Sequence, residues 1–542
     1  MRASMISRLT LLAASAVTLP SLLACLDHPL KEVEYEQIGV DDTVFPLSVN
    51  KNVDILFVID NSGSMGEEQA TLAANFESFI EVLERPEVKA NYRIGVTTTD
   101  NGNPWCSGTG PEAGALRLSS CRSRPTEFVF EGAEVIDATQ EACYDVCPEE
   151  WSNIEIQPTE VEGQSEAKPR PWLESIDGKT NLPEGLSTVQ AFQCFGPQGI
   201  DGCGFESHLE SMWKALARAE VDDDPDFGFI RDDAILSIVH VTDEADCSYN
   251  DAQATIFLPE GDRVFWSDQS APAPTSAVCW NAGVACDGDD CKSVNLGADG
   301  VEVSDDAADE DAALRPVSRY VDVVQKLEDL KKGLNPDREQ EVLVALIGGV
   351  DADGSVTYQD SLADPEFQAD FGIGPGCSSE AGRAVPPVRL REFAKAFQVG
   401  DTRNMFSICE ADYSPALEAI ANAIEDQITP SCMPACVADT DLTTPGILDP
   451  LCTLTQQSPT GGGSFQETTV VECESDGTIP DGVDVCYLTR VGDERDEECI
   501  AKGFNLEFEV LRRDGVVVPG GTGITATCTL SQSRAVDCPD LP

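Results

Sequence analysis

Histidine is almost absent from this chain: His28, His208 and His240 are the only 3 in 542 residues. None of them builds H-E-x-x-H, so the usual zinc-peptidase helix is excluded. Lysine and arginine are scarce as well, 35 against 97 Asp and Glu, for a formal net charge of −62. Such a molecule repels phosphate backbones and anionic lipid surfaces, which excludes nucleic acid and direct membrane adsorption. Past residue 25 no apolar run reaches the roughly 18 residues that a membrane-spanning helix needs. No C-x-x-C pair occurs, and with so few histidines the common structural zinc sites fall away. Gly178-Lys179-Thr180 lacks the earlier glycine of a phosphate loop, because Leu173 stands in its place. Ser62 is not in G-x-S-x-G, since residue 60 is aspartate. No internal repeat is present. With these signatures missing, the chain reads as a non-enzyme.

What is present begins with cysteine. There are 21, and setting Cys25 aside leaves an even 20 (21 − 1). Six lie between Cys106 and Cys203, four between Cys247 and Cys291, two at Cys377 and Cys409, and eight between Cys432 and Cys538. Every block is even, so disulfides within blocks are expected, with their connectivity left open. That usage belongs to an oxidising compartment outside the cytoplasm. The N-terminus agrees. Arg2 and Arg8 precede a short apolar stretch, Leu9 to Leu23, too short to span a membrane. Leu22-Leu23-Ala24-Cys25 then resembles a bacterial lipobox. The resemblance implies a signal peptide at 1–24, with Cys25 lipidated and anchoring the chain in the cell envelope, facing periplasm or outside; an ordinary secretory signal is the rival reading. In the first case the N-terminal lipid is the only membrane contact. Residues 25–50 are polar and acidic and read as a tether, with a coil reach of about 25–30 Å.

From 51 to 428 strands alternate with helices. Strands are expected at Asp54–Ile59, Tyr92–Thr98, Ala234–Val241, Glu341–Ile347 and Asn404–Ile408. Helical stripes follow at Leu72/Phe76/Phe79/Ile80/Leu83, Leu209/Met212/Trp213/Leu216, Tyr320/Val324/Leu327 and Leu417/Ile420/Ala421/Ile424. The alternation implies an α/β fold with a doubly wound, mostly parallel sheet. Two cysteine-bearing insertions, at about 100–203 and 247–314, begin just after strand ends and are expected on the same face as any ligand. Residues 431–542 carry eight cysteines, Gly461-Gly462-Gly463 and β-rich pieces such as Asn505–Val510, Gly515–Val518 and Ile524–Cys528. They read as a small disulfide-rich β domain.

The first strand is Ile55-Leu56-Phe57-Val58-Ile59, apolar throughout and suited to burial on both faces of a parallel sheet. It runs into Asp60-Asn61-Ser62-Gly63-Ser64. Carboxylate and hydroxyl oxygens at the carboxyl end of such a strand are hard ligands in the place where α/β sheets bind. This D-x-S-x-S resembles the metal-ion-dependent adhesion site of von Willebrand factor type A domains. The resemblance covers 51–428 with its insertions and implies a threonine from a second loop and a further aspartate from a third. Ala234–Val241 followed by Thr242-Asp243-Glu244 resembles the family's strand ending in T-D-G; Asp243 matches, and Glu244 replaces glycine. In Gly202-Cys203-Gly204-Phe205-Glu206-Ser207-His208 the threonine position falls on Glu206, with Ser207 as the neighbouring alternative.

The resemblance therefore implies a metal site of Asp60, Ser62, Ser64, Glu206 and Asp243 holding Mg²⁺, Mn²⁺ or Ca²⁺. The function implied is metal-dependent protein binding or adhesion by a cell-surface lipoprotein, to a protein ligand that offers an acidic side chain. A second reading gives the ion a purely structural role in an envelope scaffold. A third, metal-assisted hydrolysis, would use Glu206 or Glu244 as general base, and no motif selects it. His208 is expected to be an exposed helix residue and His240 a hydrogen-bonded core residue. Asp287–Asp290, Asp305-Asp306 and Asp309–Asp311 fit no EF-hand spacing and read as solvated loops.

Overall fold

The computed structural model describes residues 45–47, 51–539 and 541, apart from 86–87, 133–134, 177, 289, 335–339, 381, 429–430, 441–442, 444–447, 460–464, 475–476 and 514–522. The expected signal peptide, Cys25, most of the tether and the expected strand Gly515–Val518 lie outside the described residues. A short strand, β1 (Phe45–Leu47), lies within the segment read as a tether. The chain then enters β2 (Asn52–Ile59), α1 (Gly66–Asn75), α2 (Glu77–Leu83) and β3 (Asn91–Thr98). After a long excursion come β4 (Leu173–Ile176), β5 (Lys179–Thr180), α3 (Thr188–Phe195), α4 (His208–Ala219) and β6 (Ile235–Val241). A second excursion leads to α5 (Val317–Leu334), β7 (Val342–Gly348), α6 (Val388–Ala396), β8 (Met405–Ser407) and α7 (Ser414–Glu425).

These strands form one sheet in the order β5-β4-β3-β2-β6-β7-β8. β3, β2, β6, β7 and β8 run parallel, while β4 and β5 close one edge as antiparallel strands. All five strands expected from the sequence are present within one or two residues. The reason is burial on both faces. Ile55, Phe57 and Ile59 pack with Phe76, Phe79, Phe192 and Leu417 on one side, and Leu56 and Val58 pack with Leu209, Met212, Tyr320 and Phe393 on the other. The chain winds from β2 outward to β3 in one direction and later from β6 outward in the other. The switch point thus lies between β2 and β6, where the loops leaving both strands open a crevice. The first excursion rejoins the sheet at β4, so it is not an insertion throughout.

A second sheet is built from the C-terminal region with β1: β9 (Ser431–Cys432), β10 (Cys452–Pro459), β11 (Phe465–Glu472), β12 (Val485–Arg490), β13 (Glu507–Arg512) and β14 (Gly523–Cys528). Its order is β1-β14-β10-β11-β12-β13-β9, antiparallel except between β11 and β12. The sheet curls around a small core of Leu454, Val470, Tyr487, Leu506, Phe508 and Ile524. Lys89 at the entry to β3 reaches Glu509 of this sheet at 3.5 Å. Ten disulfides join 106–203, 121–143, 147–194, 247–279, 286–291, 377–409, 432–499, 436–538, 452–528 and 473–486, all within the expected blocks.

Candidate metal centre

Three loops meet at the switch point. The first leaves β2 at Asp60, whose backbone N–H donates to Val241 O at 2.9 Å and so extends the β2–β6 ladder by one bond. The Asp60 carboxylate folds back on its own loop, accepting from Ser62 N at 2.8 Å and from Thr242 Oγ1 at 2.6 Å. Each of its oxygens keeps one lone pair for a further donor or an ion. Ser62 Oγ and Ser64 Oγ lie 3.3 Å apart. Ser62 is buried and Ser64 exposed, so the loop opens to solvent at Ser64. Gln69 on α1 locks the loop from behind, donating to Asp60 O at 2.7 Å and to Gly199 O at 2.8 Å.

The second loop, from β6, carries Thr242, Asp243 and Glu244. Thr242 Oγ1 both donates to Asp60 and accepts from Glu244 N at 3.0 Å. Asp243 is buried and leaves Oδ1 without a hydrogen-bond partner among the described residues. The third loop precedes α4. Gly202 N donates to Asn61 O at 2.9 Å, and a Cβ at Gly202 would stand 2.4 Å from Asn61 Oδ1, so only glycine lets this loop approach the first. Glu206 is buried, its carbonyl accepts from Cys247 N at 2.7 Å, and its Oε1 has no hydrogen-bond partner among the described residues. Ser207 turns away, donating its hydroxyl to Cys247 O at 2.9 Å. The five residues read from the sequence, Asp60, Ser62, Ser64, Glu206 and Asp243, therefore occupy one region, and Glu206 rather than Ser207 faces it.

The electrostatics are unusual. Burial, then Glu244 and Asp60 nearby, push the Glu206 carboxyl well above the usual range. Burial and the same neighbouring charges do so for Asp243. Burial and Asp60 push Glu244 up to about 7, and burial pushes Glu68 on α1 up to about 7. Among the described residues no Lys or Arg forms an ion pair with Asp60, Glu206, Asp243 or Glu244. Buried carboxylates are normally paired, protonated or bound to a cation.

Two expectations are corrected. His208 is fully buried rather than exposed: the first turn of α4 points inward, setting its Nε2 3.9 Å from Asp60 Oδ2 and its Nδ1 3.8 Å from Asp246 Oδ1. Asp246 is in turn held by Arg389 Nε at 2.9 Å. His240 is buried as expected but has no hydrogen-bond partner among the described residues; burial and His208 push its imidazole down to about 3. Gln69 and Glu68 were not singled out by sequence, Thr242 was read only as part of the strand end, and His208 as an exposed helix residue. Their only signal is position, facing inward beside the motif. The first excursion reaches the Asp60 loop at one point: the Phe130 ring lies over Gly63, where a Cβ would come within 2.9 Å of it.

Among the described residues no three His, Cys, Asp or Glu side chains already stand together as a metal-ligand set. The oxygens here are of mixed type, two serine hydroxyls with carboxylates, and Asp243 Oδ1 and Glu206 Oε1 are buried without partners. Such a donor set fits a hard divalent cation.

No family model matches the chain, and no curated protein does. Distant likenesses occur among solved structures. The pilus adhesin SpaC of Lactobacillus rhamnosus GG is 9% identical with a TM-score of 0.27, over 89% of this chain and 40% of that one. The pilus adhesin RrgA of Streptococcus pneumoniae is 11% identical with a TM-score of 0.25, over 90% and 57%. A von Willebrand factor type A protein from Catenulispora acidiphila is 10% identical with a TM-score of 0.22, over 91% and 67%. This chain thus spans about half or less of the adhesins' lengths.

Proposed function

We propose that this chain is an exported surface protein whose α/β domain holds a divalent metal ion at the switch point and uses it for metal-dependent protein binding. The observation that carries the reading is the meeting of Asp60, Glu206 and Asp243 with the Ser62 and Ser64 hydroxyls, buried carboxylates without a Lys or Arg ion pair among the described residues. Ser62, Ser64 and Glu206 would hold the ion directly, and Asp60 and Asp243 directly or through water. Mg²⁺, Mn²⁺ and Ca²⁺ all suit these oxygens. A bound ion supplies the positive charge that an acidic side chain of a protein partner would meet. Ser64 gives that side chain its way in, while Thr242 and Gln69 keep Asp60 and its loop in position. Anchoring through a lipid on Cys25 belongs to the same proposal, as does the absence of turnover. Among the described residues no helix is long and apolar enough to cross a membrane.

Asp60→Ala tests the reading. In partner capture from envelope extracts with and without chelator, we expect metal-dependent capture by the native chain and loss of it in the variant, with the melting temperature within about 3 °C. A collapse of the melting temperature in the variant instead assigns the ion a structural role. The expected retention of the fold has a physical basis, because the Gly202–Asn61 and Cys247–Glu206 backbone bonds tie the loops without the Asp60 carboxylate. An ester or glycan turnover that vanishes in Asp60→Ala would make the protein a hydrolase.

A further inference from the structure

Helix α4 begins without a cap of its own. Ser207 stands at its N-cap, yet its hydroxyl makes no cap bond and donates to Cys247 O instead. The first N–H groups of a helix have no partner within it. Here two of them are met from another element: Leu209 N donates to Asp246 Oδ1 at 3.0 Å, and Glu210 N to Ser248 Oγ at 2.9 Å. Ser248 Oγ donates in turn to Asp246 Oδ1 at 2.6 Å. Asp246 and Ser248 belong to the loop leaving β6, so the loop that carries Asp243 caps the helix that follows Glu206. The Asp246 carboxylate also faces the positive end of α4. Its other oxygen, Oδ2, accepts from Arg389 Nε of α6 at 2.9 Å, and both side chains are buried. Arg389 is held at its far end, donating from Nη2 to Arg315 O at 2.6 Å, while Arg315 N donates to Ser248 O at 2.8 Å.

Glu206 lies just ahead of the capped turn, and its carbonyl accepts from the N–H of Cys247, the residue between Asp246 and Ser248. Its Oε1 is buried without a hydrogen-bond partner among the described residues, so no bond at that oxygen sets where it stands. The backbone of the capped turn does. The Asp60 loop is set independently, by β2 and by Gln69. Resting on the metal reading above, we propose that Asp246 and Arg389 are positioning residues for Glu206: they do not touch the ion, and they fix the turn that aims the Glu206 carboxylate at it. Groups standing behind the ligands of a metal change its affinity by roughly 10–100-fold. Here they also bring α6 and the end of the second excursion into the support of the site. Neither residue belongs to the motif, and the two stand 143 positions apart in sequence, so no spacing reveals the pair.

The test is Mn²⁺ calorimetry on the full, disulfide-intact chain, run as a double-variant cycle between Asp246→Asn and Glu206→Gln, with melting temperatures of the chelated proteins alongside. We expect Asp246→Asn alone to weaken Mn²⁺ binding by roughly 10–100-fold. In the Glu206→Gln background it should add less than about twofold, because the group it positions is already lost as a ligand. Arg389→Lys keeps a cation beside Asp246 and should lose less than Asp246→Asn. Equal losses in the two backgrounds would give Asp246 a purely structural role and overturn the proposal. So would a lowered melting temperature with unchanged Mn²⁺ affinity, which leaves the metal reading standing. A Glu206→Gln chain that binds Mn²⁺ as the native one does removes Glu206 from the ligands and the positioning role with it. A native chain that binds no Mn²⁺ overturns both readings. If Asp246→Asn does not fold, Ser248→Ala takes its place in the same cycle, since it removes the acceptor of Glu210 N and leaves the Asp246–Arg389 pair.

Discussion

At the scale of single residues, Glu206 sets the character of the site. A hydroxyl in its place would leave a divalent ion short of negative charge and dependent on a partner's carboxylate. A directly ligating glutamate supplies that charge from within. Glu206→Thr should therefore weaken metal binding in the absence of partner by roughly one order of magnitude or more, about 1.4 kcal/mol per tenfold. Calorimetry checks this, and an unchanged or stronger affinity would remove Glu206 from the ligand set. Asp60, the serines and Asp243 were legible in the sequence because each ends or follows a strand that itself declares its position. His208 was not. Its helical stripe placed Leu209, Met212 and Leu216 on the inner face, and nothing in that spacing says that the first turn also faces inward beneath Asp60. Gln69 is similar: its side chain bonds four backbone groups, Asp60 O on one loop and Gln198 N, Gly199 N and Gly199 O on another, a role visible only once the loops have met.

At the scale of elements, the helices that carry the site rest on one aromatic cluster. Phe76, at the break between α1 and α2, stacks on Phe192 of α3 with ring centroids 3.5 Å apart, and both meet Phe57 of β2 edge-on or tilted. Because β2 ends in the Asp60 loop, this cluster fixes the strand from beneath. Phe76→Ala should cost about 3–5 kcal/mol of stability, measured by denaturant unfolding, while metal affinity in the folded fraction changes little. A variant that unfolds within about 1 kcal/mol of the native chain would show that the cluster is not the support described. The parallel strands were legible because burial on both faces makes them continuous apolar runs. Strand β4, one in from the edge, was not. It is four residues long and includes Glu174, whose charge is answered by Arg93 of β3 at 2.7 Å. The strands of the second sheet were only partly legible for a related reason. β10 reads Cys-Thr-Leu-Thr-Gln-Gln-Ser-Pro, with Leu454 in the core, and a disulfide to Cys528 adds what apolar burial does not supply.

At the scale of the whole molecule, acidity and fold meet in a pH response. Glu68 and Glu244 have an ordinary value of 4.5 and are raised to about 7 in the folded chain. Between those values the folded state binds more protons than the unfolded one, so stability falls as pH rises, by up to about 1.4 kcal/mol per pH unit for each group. The stabilising effect is fully present below pH 4.5 and lost as pH passes about 7. Chelated protein should therefore melt at a higher temperature at pH 5 than at pH 7.5, and Glu68→Gln should flatten part of that slope. Saturating Mn²⁺ should reverse the trend, since cation binding requires the carboxylates ionised. A chelated melting temperature that rises across this window, unchanged by Glu68→Gln, would contradict the assignment. The small C-terminal sheet enters this picture through its position. Lys51 precedes β2 and Lys89 precedes β3, and both lie among the acidic groups Glu509 and Glu507 of that sheet. The second sheet is thus seated where the parallel strands begin, and the loops of Asp60 and Asp243 lie where they end.

That polarity gives the molecule a base and a tip. The chain comes in through β1, in the basal sheet, and passes at once into β2, whose far end is Asp60. The length of β2 thus separates the basal sheet from the loop of Asp60. The direction of the first long strand sets the carboxylate-bearing loops at the end of the parallel strands opposite to that sheet.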